Sequence, residues 1–345
     1  MLVTKRAYAR AGFVGNPSDG YHGKTIAFTI GDYFAEVVLY ESPELELRPS
    51  PQDHAVFGCL DEMLEDVRRT GYYGGVRLLK AATKCFAEHC AESGVELPRR
   101  NFTVRYHTTI PRQVGLGGSS AIITAAMRAL MEFFGVNIPM QVLPNVVLQA
   151  ETEELGLSAG LQDRVVQAYG GLVYMDFAKD YMDRHGHGRY EPLDRSLLPP
   201  VYMAYRTDLS KESTTAHIRV RELHQMGDPT VVGTMNEIAA LADQARSLLE
   251  RRDYDGLAAV LDRNFDLRAR IFTIREADLA MVRTARSTGA SCSFCGSGGA
   301  VVGTVKDEEM LNRLRLTMQR AGYEFLVPSV APNGTPAVRQ DAAEG

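Results

Sequence analysis

A glycine-rich segment between a predicted strand and a predicted helix constrains this chain more than any other feature. Alternation of Phe102, Val104 and Tyr106 predicts a strand, and an alanine-rich apolar run over residues 119–134 predicts a helix. Between them, residues 111–121 read PRQVGLGGSSA, and the glycines let the backbone approach a ligand closely. Because a helix N-terminus favours an anion, we expect a phosphate site here. A flexible turn with a serine N-cap is the alternative.

This segment is neither of the two common glycine-rich phosphate motifs. No lysine follows its second glycine as in a P-loop, and a dinucleotide-binding fingerprint is absent. Serine hydroxyls at the helix start, Ser119 and Ser120, could also reach a phosphate-bound Mg²⁺.

A second group of polar residues follows about 30 residues later, with Glu151 on a predicted helix and Asp163 at the start of the next. Nucleotide-bound Mg²⁺ commonly takes one or two carboxylate ligands, and Glu151 can supply one. Phosphoryl transfer also needs a group that orients and deprotonates the attacking hydroxyl, which Asp163 can supply. Alternatively, each is an ordinary surface acid or a charge at a helix start.

Two further turns carry candidate site residues. Arg10 lies on a predicted strand that runs into Gly15-Asn-Pro-Ser-Asp19, where Asp19 could accept hydrogen bonds from a sugar. Arg10 could stabilise charge in the transition state. Residues 296–299, GSGG, form a tight turn between strands. The alternatives are a turn capped by Asp19 and a plain hairpin.

In order and spacing, these four segments resemble the motifs of the GHMP kinases. The middle motif of that family is P-x₃-G-L-G-S-S-A, matched here with one extra glycine, and residues 150–163 match A-E-x₄-G-x₃-G-x₂-D. The resemblance implies ATP as co-substrate, Mg²⁺ as cofactor, Ser120 and Glu151 as metal ligands, Asp163 as catalytic base and Arg10 as its cationic neighbour. It implies nucleotide contacts at Pro111, Gly115, Leu116, Gly117, Gly118, Ser119, Ser120 and Ala121, and substrate contacts at Asn16, Asp19, Gly160, Asp163 and Arg164.

Longer strings extend the resemblance over nearly the whole chain, to family members that phosphorylate a uronic acid. They are GNPSD from Gly15, GYYGGVRLL from Gly71, AGLQDRV from Ala159, YGGLVYMDF from Tyr169, NFDLR from Asn264 and GSGGAVV from Gly296. They imply transfer from ATP to the anomeric hydroxyl of D-glucuronate, giving glucuronate 1-phosphate.

Two departures and several alternatives accompany this expectation. Galactokinases carry Glu-His-Thr-Asp where this chain has Asn16-Pro-Ser-Asp19, which argues against galactose. The third motif often carries Lys-x-Thr, replaced here by Ser293-Phe-Cys295. The alternatives are a kinase for arabinose, galacturonate, fucose or a heptose phosphate, or a non-catalytic sugar and nucleotide sensor. A uronate needs a cationic partner, and the sequence leaves five candidates open: Arg112, Arg164, Arg206, Lys211 and Arg268.

Composition narrows the classes of partner and the cellular location. The net charge is −5, from 38 basic and 43 acidic residues without basic clustering, so we expect no nucleic-acid partner. Without a secretion signal or an 18-residue apolar run, we expect a cytoplasmic protein with no membrane partner. The five cysteines are then expected to be free thiols, with Cys292 and Cys295 filling a buried strand. The sequence leaves monomer and homodimer open.

The order of predicted elements indicates a two-domain α/β (α+β) fold. By the resemblance, the N-terminal domain is ribosomal-protein-S5-like, the C-terminal domain is ferredoxin-like, and the active-site cleft lies between them. A polar stretch over residues 179–195 suggests the boundary, giving domains over 1–190 and 191–330 and a flexible tail over 331–345. Strands are expected over 25–30 and 35–39, and a helix over 52–69.

Overall fold

The computed structural model describes residues 1–50, 53, 74–206 and 214–334. These residues form two β-sheets with helices packed on them, which confirms the mixed α/β class. The helix predicted over residues 52–69 falls almost entirely outside the described residues, as do Cys59 and Lys211.

The first sheet is built from the N-terminal half of the chain. Its strands run in the order β3-β4-β2-β5-β6, and β1 pairs antiparallel with β2. The elements of this half are β1 (Leu2–Val14), β2 (Lys24–Glu41), β3 (Glu46–Arg48), α1 (Gly75–Glu92), β4 (Phe102–Thr108), α2 (Gly118–Phe134), α3 (Leu143–Thr152), α4 (Leu161–Tyr169), β5 (Leu172–Asp176), α5 (Lys179–His185) and β6 (Arg189–Leu193). A short 3₁₀ helix, Ser18–Tyr21, follows β1.

Strand β2 is continuous where two separate strands were predicted. The expected break near Gly31 is only an irregularity in the pairing with β1, since Ala9 lies opposite Ile30 and Tyr8 opposite Phe34. Because β1 pairs with both halves, β2 stays one strand. Its first half then pairs with β5 and its second half with β4.

The polar stretch over residues 179–195, which suggested the domain boundary, is structured. It forms α5 and then β6, which pairs antiparallel with β5 along residues 172–176. Charged side chains suit this position because β6 is an edge strand, and Arg189 lies 3.8 Å from Asp176 across the pair. The first sheet therefore reaches residue 193, and the domain boundary at residue 190 stays a prediction.

The second sheet is antiparallel, with strands in the order β10-β7-β9-β8. The elements of this half are β7 (Val201–Tyr205), α6 (Thr214–Gln225), α7 (Pro229–Arg251), α8 (Tyr254–Ile271), α9 (Glu276–Arg286), β8 (Ser293–Phe294), β9 (Ala300–Thr304), α10 (Glu308–Arg320) and β10 (Glu324–Leu326). Helix α9 was not predicted, although its buried Met281, Val282 and Ala285 have helical spacing.

One of the three hydrophobic clusters among the described residues spans both sheets. A single cluster of buried side chains joins Phe13 and Phe28 of the first sheet to Met203 of the second and Leu241 of α7. Among the described residues, no helix combines the length and apolar character needed to cross a bilayer.

The first residues of the predicted tail are fixed on the first sheet. The N–H group of Ala331 donates to Thr29 O at 3.2 Å, and that of Gly334 donates to Tyr169 O at 2.7 Å. Residues 331–334 are therefore not a loose tail, because their backbone groups pair with the sheet and with the end of α4. Residues 335–345 lie outside the described residues.

Candidate active site

A cavity of about 630 Å³ lies where the ends of several elements converge. Its walls are the turn after β1, the glycine-rich segment before α2, the start of α4, the turn after β8, and side chains from α1, α6 and α8. The sequence-predicted residues that line it are Arg10, Asn16, Asp19, Pro111, Gly115, Leu116, Gly117, Gly118, Ser119, Glu151, Gly160, Asp163 and Arg164.

The glycine-rich segment has a backbone that requires glycine at two positions. Gly115 and Gly117 both have φ of 73°, in the left-handed region, and Gly117 is the N-cap of α2. The first N–H groups of α2 have no partner within the helix and carry the positive end of its dipole. They lie at the cavity wall formed by Gly118 and Ser119, where an anion would be stabilised.

The glycine-rich turn at residues 296–299, the third family motif, packs closely against the glycine-rich segment before α2. A methyl group on Gly115 would lie 2.6 Å from Gly298 O, and one on Gly296 would lie 2.6 Å from Gly115 O. The two turns approach closely enough to exclude a side chain at these two positions. Gly296 and Ser297 also line the cavity, so the third motif reaches it although this motif lacks Lys-x-Thr.

The buried guanidinium of Arg10 joins three parts of this cavity. Its Nη2 pairs with Asp163 Oδ2, while Nη1 donates to Gly115 O at 2.5 Å and to Cys295 O at 3.2 Å. One side chain thereby connects strand β1, helix α4, the glycine-rich segment and the residue that precedes the 296–299 turn. The structure brings together Arg10 and Asp163, as the sequence predicted for a base and its cationic neighbour.

The pKa of Asp163 is lower than that of an ordinary aspartate. Burial is the largest single influence and would raise this pKa, but the charges of Arg10 and Arg164 and the hydrogen bond from Arg10 together outweigh it. Asp163 is therefore a carboxylate at neutral pH. It can accept a hydrogen bond from a hydroxyl group in the cavity.

Glu151 belongs to a second buried network, which Arg164 connects to Asp163. Its Oε1 accepts a hydrogen bond from Ser119 Oγ at 2.6 Å, and its Oε2 accepts one from Arg164 Nε at 2.6 Å. Arg164 also lies 3.4 Å from Asp163 Oδ2 and donates to Gly160 O at 2.8 Å. Arg164 thus bridges the two carboxylates, a different environment from the substrate contact that was predicted for it.

The structure does not bring Ser120 to Glu151. The side chains of Ser120 and Ala121 are fully buried behind the loop, and Ser120 Oγ donates to Gly117 O at 3.0 Å. Ser119 instead lines the cavity and contacts Glu151. The extra glycine in this chain's loop is the sequence difference that accompanies this arrangement. Ser119 and Glu151 supply the hydroxyl and carboxylate oxygens that a hard cation prefers.

Asp19, Asn16 and Gly160 form a further part of the wall. Asp19 Oδ2 accepts from the N–H group of Gln162 at 3.2 Å, and a methyl group on Gly160 would collide with the Asp19 carboxylate. Burial, and secondarily the charge of Asp163, raise the pKa of Asp19 to about 6. Asn16 Nδ2 donates to Gly296 O at 2.9 Å, so its side chain also supports the third turn.

The structure separates the candidate partners for a uronate carboxylate by their position relative to the cavity. Arg112 and Arg268 line the cavity, Arg206 is not among its described lining residues, and Arg164 is engaged with Glu151. Arg268 is buried and donates to Gly296 O at 2.7 Å and to Ser297 O at 3.0 Å.

Sequence reasoning missed several residues that build or line the site. Asn264 accepts from the Gly15 N–H group at 2.6 Å and donates to Asn16 O at 2.9 Å. Gln167 donates to Gly117 O at 2.8 Å, and Arg221 of α6 lines the cavity. The string that begins at Asn264 did contribute to the family resemblance, but no pattern assigned its residues a role.

Cys292 and Cys295 are buried free thiols, and the backbone carbonyl of Cys295 accepts from Arg10 at this site. Burial raises the pKa of Cys292 to about 12 and raises that of Cys295 further above the ordinary value. Protonated, fully buried thiols are poor nucleophiles, in keeping with the expectation that both act as small core residues.

Known proteins resemble this chain in sequence and in fold. The family description "GHMP kinases N terminal domain" matches residues 77–171. Glucuronokinase 1 of Arabidopsis thaliana is 44% identical, over 96% of this chain and 93% of the relative. Probable glucuronokinase 2 of the same plant is 47% identical, over 86% of this chain and 82% of the relative.

Solved structures share the fold at low sequence identity. Lactococcus lactis galactokinase complexed with galactose superimposes with a TM-score of 0.74 at 15% identity, covering 97% of this chain and 95% of that one. Streptococcus pneumoniae phosphomevalonate kinase with phosphomevalonate and AMPPNP gives 0.72 at 11% identity, covering 95% and 99%. These likenesses confirm the predicted α/β (α+β) fold of the GHMP kinases. With its glycine loop, its paired Arg10 and Asp163, and its full-length relatives, this chain belongs to the GHMP kinase family.

Proposed function

We propose that this protein transfers the γ-phosphoryl group of ATP to the anomeric hydroxyl of D-glucuronate, giving glucuronate 1-phosphate and ADP. The observation that carries the transfer chemistry is the Arg10 side chain, which holds the Asp163 carboxylate and the glycine loop at one cavity. The choice of glucuronate is supported by the two relatives named glucuronokinase, which are similar along most of this chain.

The phosphates would bind at the glycine loop. The left-handed conformation at Gly115 and Gly117 leads into the start of α2, where backbone N–H groups and the helix dipole favour the triphosphate. Of the predicted nucleotide contacts, Pro111 and Gly115 to Ser119 line the cavity and can touch the nucleotide directly. Ser120 and Ala121 would support the loop from behind.

Glu151 and Ser119 fit a magnesium site at this loop. Both offer oxygen atoms, they are already hydrogen-bonded to each other, and Glu151 is buried within the wall of the cavity. We assign the hydroxyl ligand to Ser119 rather than to Ser120, because only Ser119 faces the cavity. Bound Mg²⁺ would neutralise phosphate charge during transfer.

Asp163 would orient the attacking hydroxyl and accept its proton. Its lowered pKa keeps the carboxylate ionised, so it is ready to accept a hydrogen bond but is a weak base. An anomeric hydroxyl is more acidic than an ordinary alcohol, so full deprotonation before attack is not required. The proton can move to Asp163 as the oxygen attacks the γ-phosphorus in line and the bond to the ADP oxygen breaks.

The proposal is tested by ADP release with D-glucuronate against D-glucose, its neutral parent, and against arabinose, galacturonate and fucose. We expect the highest kcat/KM for glucuronate. Higher efficiency with another sugar would assign a different substrate within the family, and ADP release unaffected by every sugar would overturn the kinase proposal. The cytoplasmic location and the choice between monomer and homodimer stay predictions.

A further inference from the structure

The cavity wall carries negative charges that would repel an anionic sugar. Three carboxylates line it, from Asp19, Glu151 and Asp163. Two of them are paired with buried arginines, Asp163 with Arg10 and Glu151 with Arg164. A uronate adds another negative charge beside these groups. Its binding needs a cation that is not already holding one of the site's own carboxylates.

Besides Arg10 and Arg164, four other arginines among the described residues line the cavity, and they lie on two sides of it. Arg112 follows Pro111 directly in the glycine-rich segment. Arg77 lies in the first turn of α1, where Gly75 packs on Tyr106 of β4, the strand that leads into that segment. Both are therefore on the side proposed for ATP. Arg221 and Arg268 come from α6 and α8, and their charges act on Tyr21, which lies two residues after Asp19.

Helix α6 packs through an aromatic contact on the part of the cavity wall that holds Asp19 and Tyr21. The ring centroids of His224 and Tyr21 are 4.8 Å apart in an edge-to-face arrangement. Residues three apart share a helix face, so Arg221 lies on the same face as His224, one turn earlier. This placement agrees with Arg221 and Tyr21 both lining the cavity.

Of these two arginines, Arg221 is the one available to a ligand. Arg268 is buried, and two of its nitrogens already donate to the carbonyl groups of Gly296 and Ser297. The side chain of Arg221 is exposed, and among the described residues no group accepts a hydrogen bond from it. A guanidinium at the cavity rim can turn its two N–H edges toward a carboxylate without breaking an existing pair.

We propose that Arg221 recognises the carboxylate of the sugar substrate and is a specificity-determining residue of this kinase. This inference rests on the proposed function. Arg221 would contact only the group at C6, remote from the reacting hydroxyl, so it should discriminate between charged and neutral sugars without taking part in transfer.

The test compares D-glucuronate with D-glucuronamide, whose neutral amide replaces the carboxylate at nearly the same size. We expect Arg221→Gln to lower kcat/KM for glucuronate by on the order of 10- to 100-fold, the range for a lost hydrogen bond to a charged group. The effect on glucuronamide should be less than about threefold. The KM for ATP should not change. If turnover of glucuronamide is too slow to follow, its inhibition constant against glucuronate gives the same comparison.

Arg219→Gln is the matched control, because it removes the same charge from the same helix. Arg219 is exposed and two residues away, which places it roughly 200° around the helix from Arg221 and away from the cavity. It should leave both substrates unchanged. An equal loss in both arginine variants would reduce the effect to general electrostatic attraction and overturn the inference.

Two results separate this inference from the proposed function. If wild-type protein prefers glucuronate but Arg221→Gln keeps the wild-type ratio of glucuronate to glucuronamide, the carboxylate is read elsewhere and only the role of Arg221 fails. If wild-type protein shows no preference for glucuronate over glucuronamide or glucose, the substrate assignment itself fails.

Discussion

The guanidinium of Arg10 pairs with the carboxylate of Asp163 inside the cavity wall, and both side chains are largely buried. The same guanidinium donates to Gly115 O at 2.5 Å. The position of the proposed base is therefore tied directly to the loop proposed to bind phosphate. A change that shifts the glycine loop should also shift the Asp163 carboxylate, and the reverse. Arg10 is therefore the most informative residue to alter.

Replacing Arg10 by Gln should raise the pKa of Asp163. Without its main cationic partner, burial would dominate and favour the protonated carboxyl. The acidic limb of the pH profile of kcat/KM should then move to higher pH, because ionised Asp163 is the active form. Loss of a buried partner should also lower the free energy of unfolding by roughly 3 kcal/mol.

Arg6→Gln is the control for this experiment, since Arg6 lies on the same strand but pairs with Glu36 at a half-buried site. It should leave the pH profile in place. An unshifted acidic limb in Arg10→Gln, measured on folded protein, would contradict the role given to the pair.

Gly115→Ala should disrupt the phosphate loop. Its φ of 73° disfavours a side chain, and the added methyl group would lie 2.6 Å from Gly298 O. We expect the KM for ATP to rise about tenfold or more, because the loop must move to relieve the contact. Gly135→Ala, at the other end of α2, has φ of 68° but open space around it. That control should cost only about 1 kcal/mol of stability and leave the KM for ATP unchanged.

Binding of the sugar should depend on the ionisation of Asp19. Its pKa is raised to about 6, so it is a carboxylate above that pH and loses acceptor strength below it. At saturating ATP and Mg²⁺, the KM for glucuronate should rise as the pH falls from 7.5 to 5. Asp19→Asn should have a raised KM at every pH and lose this inflection. A KM for wild-type protein that is constant across this range would exclude Asp19 as an ionised sugar contact.

Arg164 should act by positioning Glu151 rather than by contacting the sugar carboxylate. Arg164→Gln leaves the buried Glu151 with one hydrogen-bond donor, Ser119, among the described contacts. We expect a raised Mg²⁺ requirement at fixed ATP and a loss of stability of roughly 3 kcal/mol, with no preferential loss for glucuronate over glucuronamide. A selective loss for glucuronate would return Arg164 to the role of a substrate contact.

Motifs fixed by local chemistry were the most predictable part of this molecule. The glycine loop, Glu151 and Asp163 were identified from short patterns, and the structure gathers them at one cavity. Each pattern specifies a backbone conformation or a charge that the surrounding chain cannot easily replace. The overall α/β class followed from the alternation of strand and helix patterns.

Features that depend on contacts distant in sequence were not predictable from local patterns. Strand β2 is continuous because β1 pairs with both of its halves, and residues 331–334 are fixed because they pair with Thr29 and Tyr169. Ser119 lines the cavity in place of the predicted Ser120. The side that each hydroxyl faces at the first turn of α2 can be changed by one extra glycine in the loop. Arg221 had no distinguishing sequence context, since the role proposed for it depends on the packing of α6 on Tyr21.

The most direct test of the account follows the γ-phosphoryl group of labelled ATP into the sugar in wild-type protein and in Asp163→Asn. We expect wild-type protein to form glucuronate phosphorylated at C1. Asp163→Asn keeps the size of the side chain but removes its charge, and it should form the same product at least about 10²-fold more slowly. Transfer at a near-normal rate by Asp163→Asn, or label that never reaches C1 of glucuronate in wild-type protein, would contradict the account.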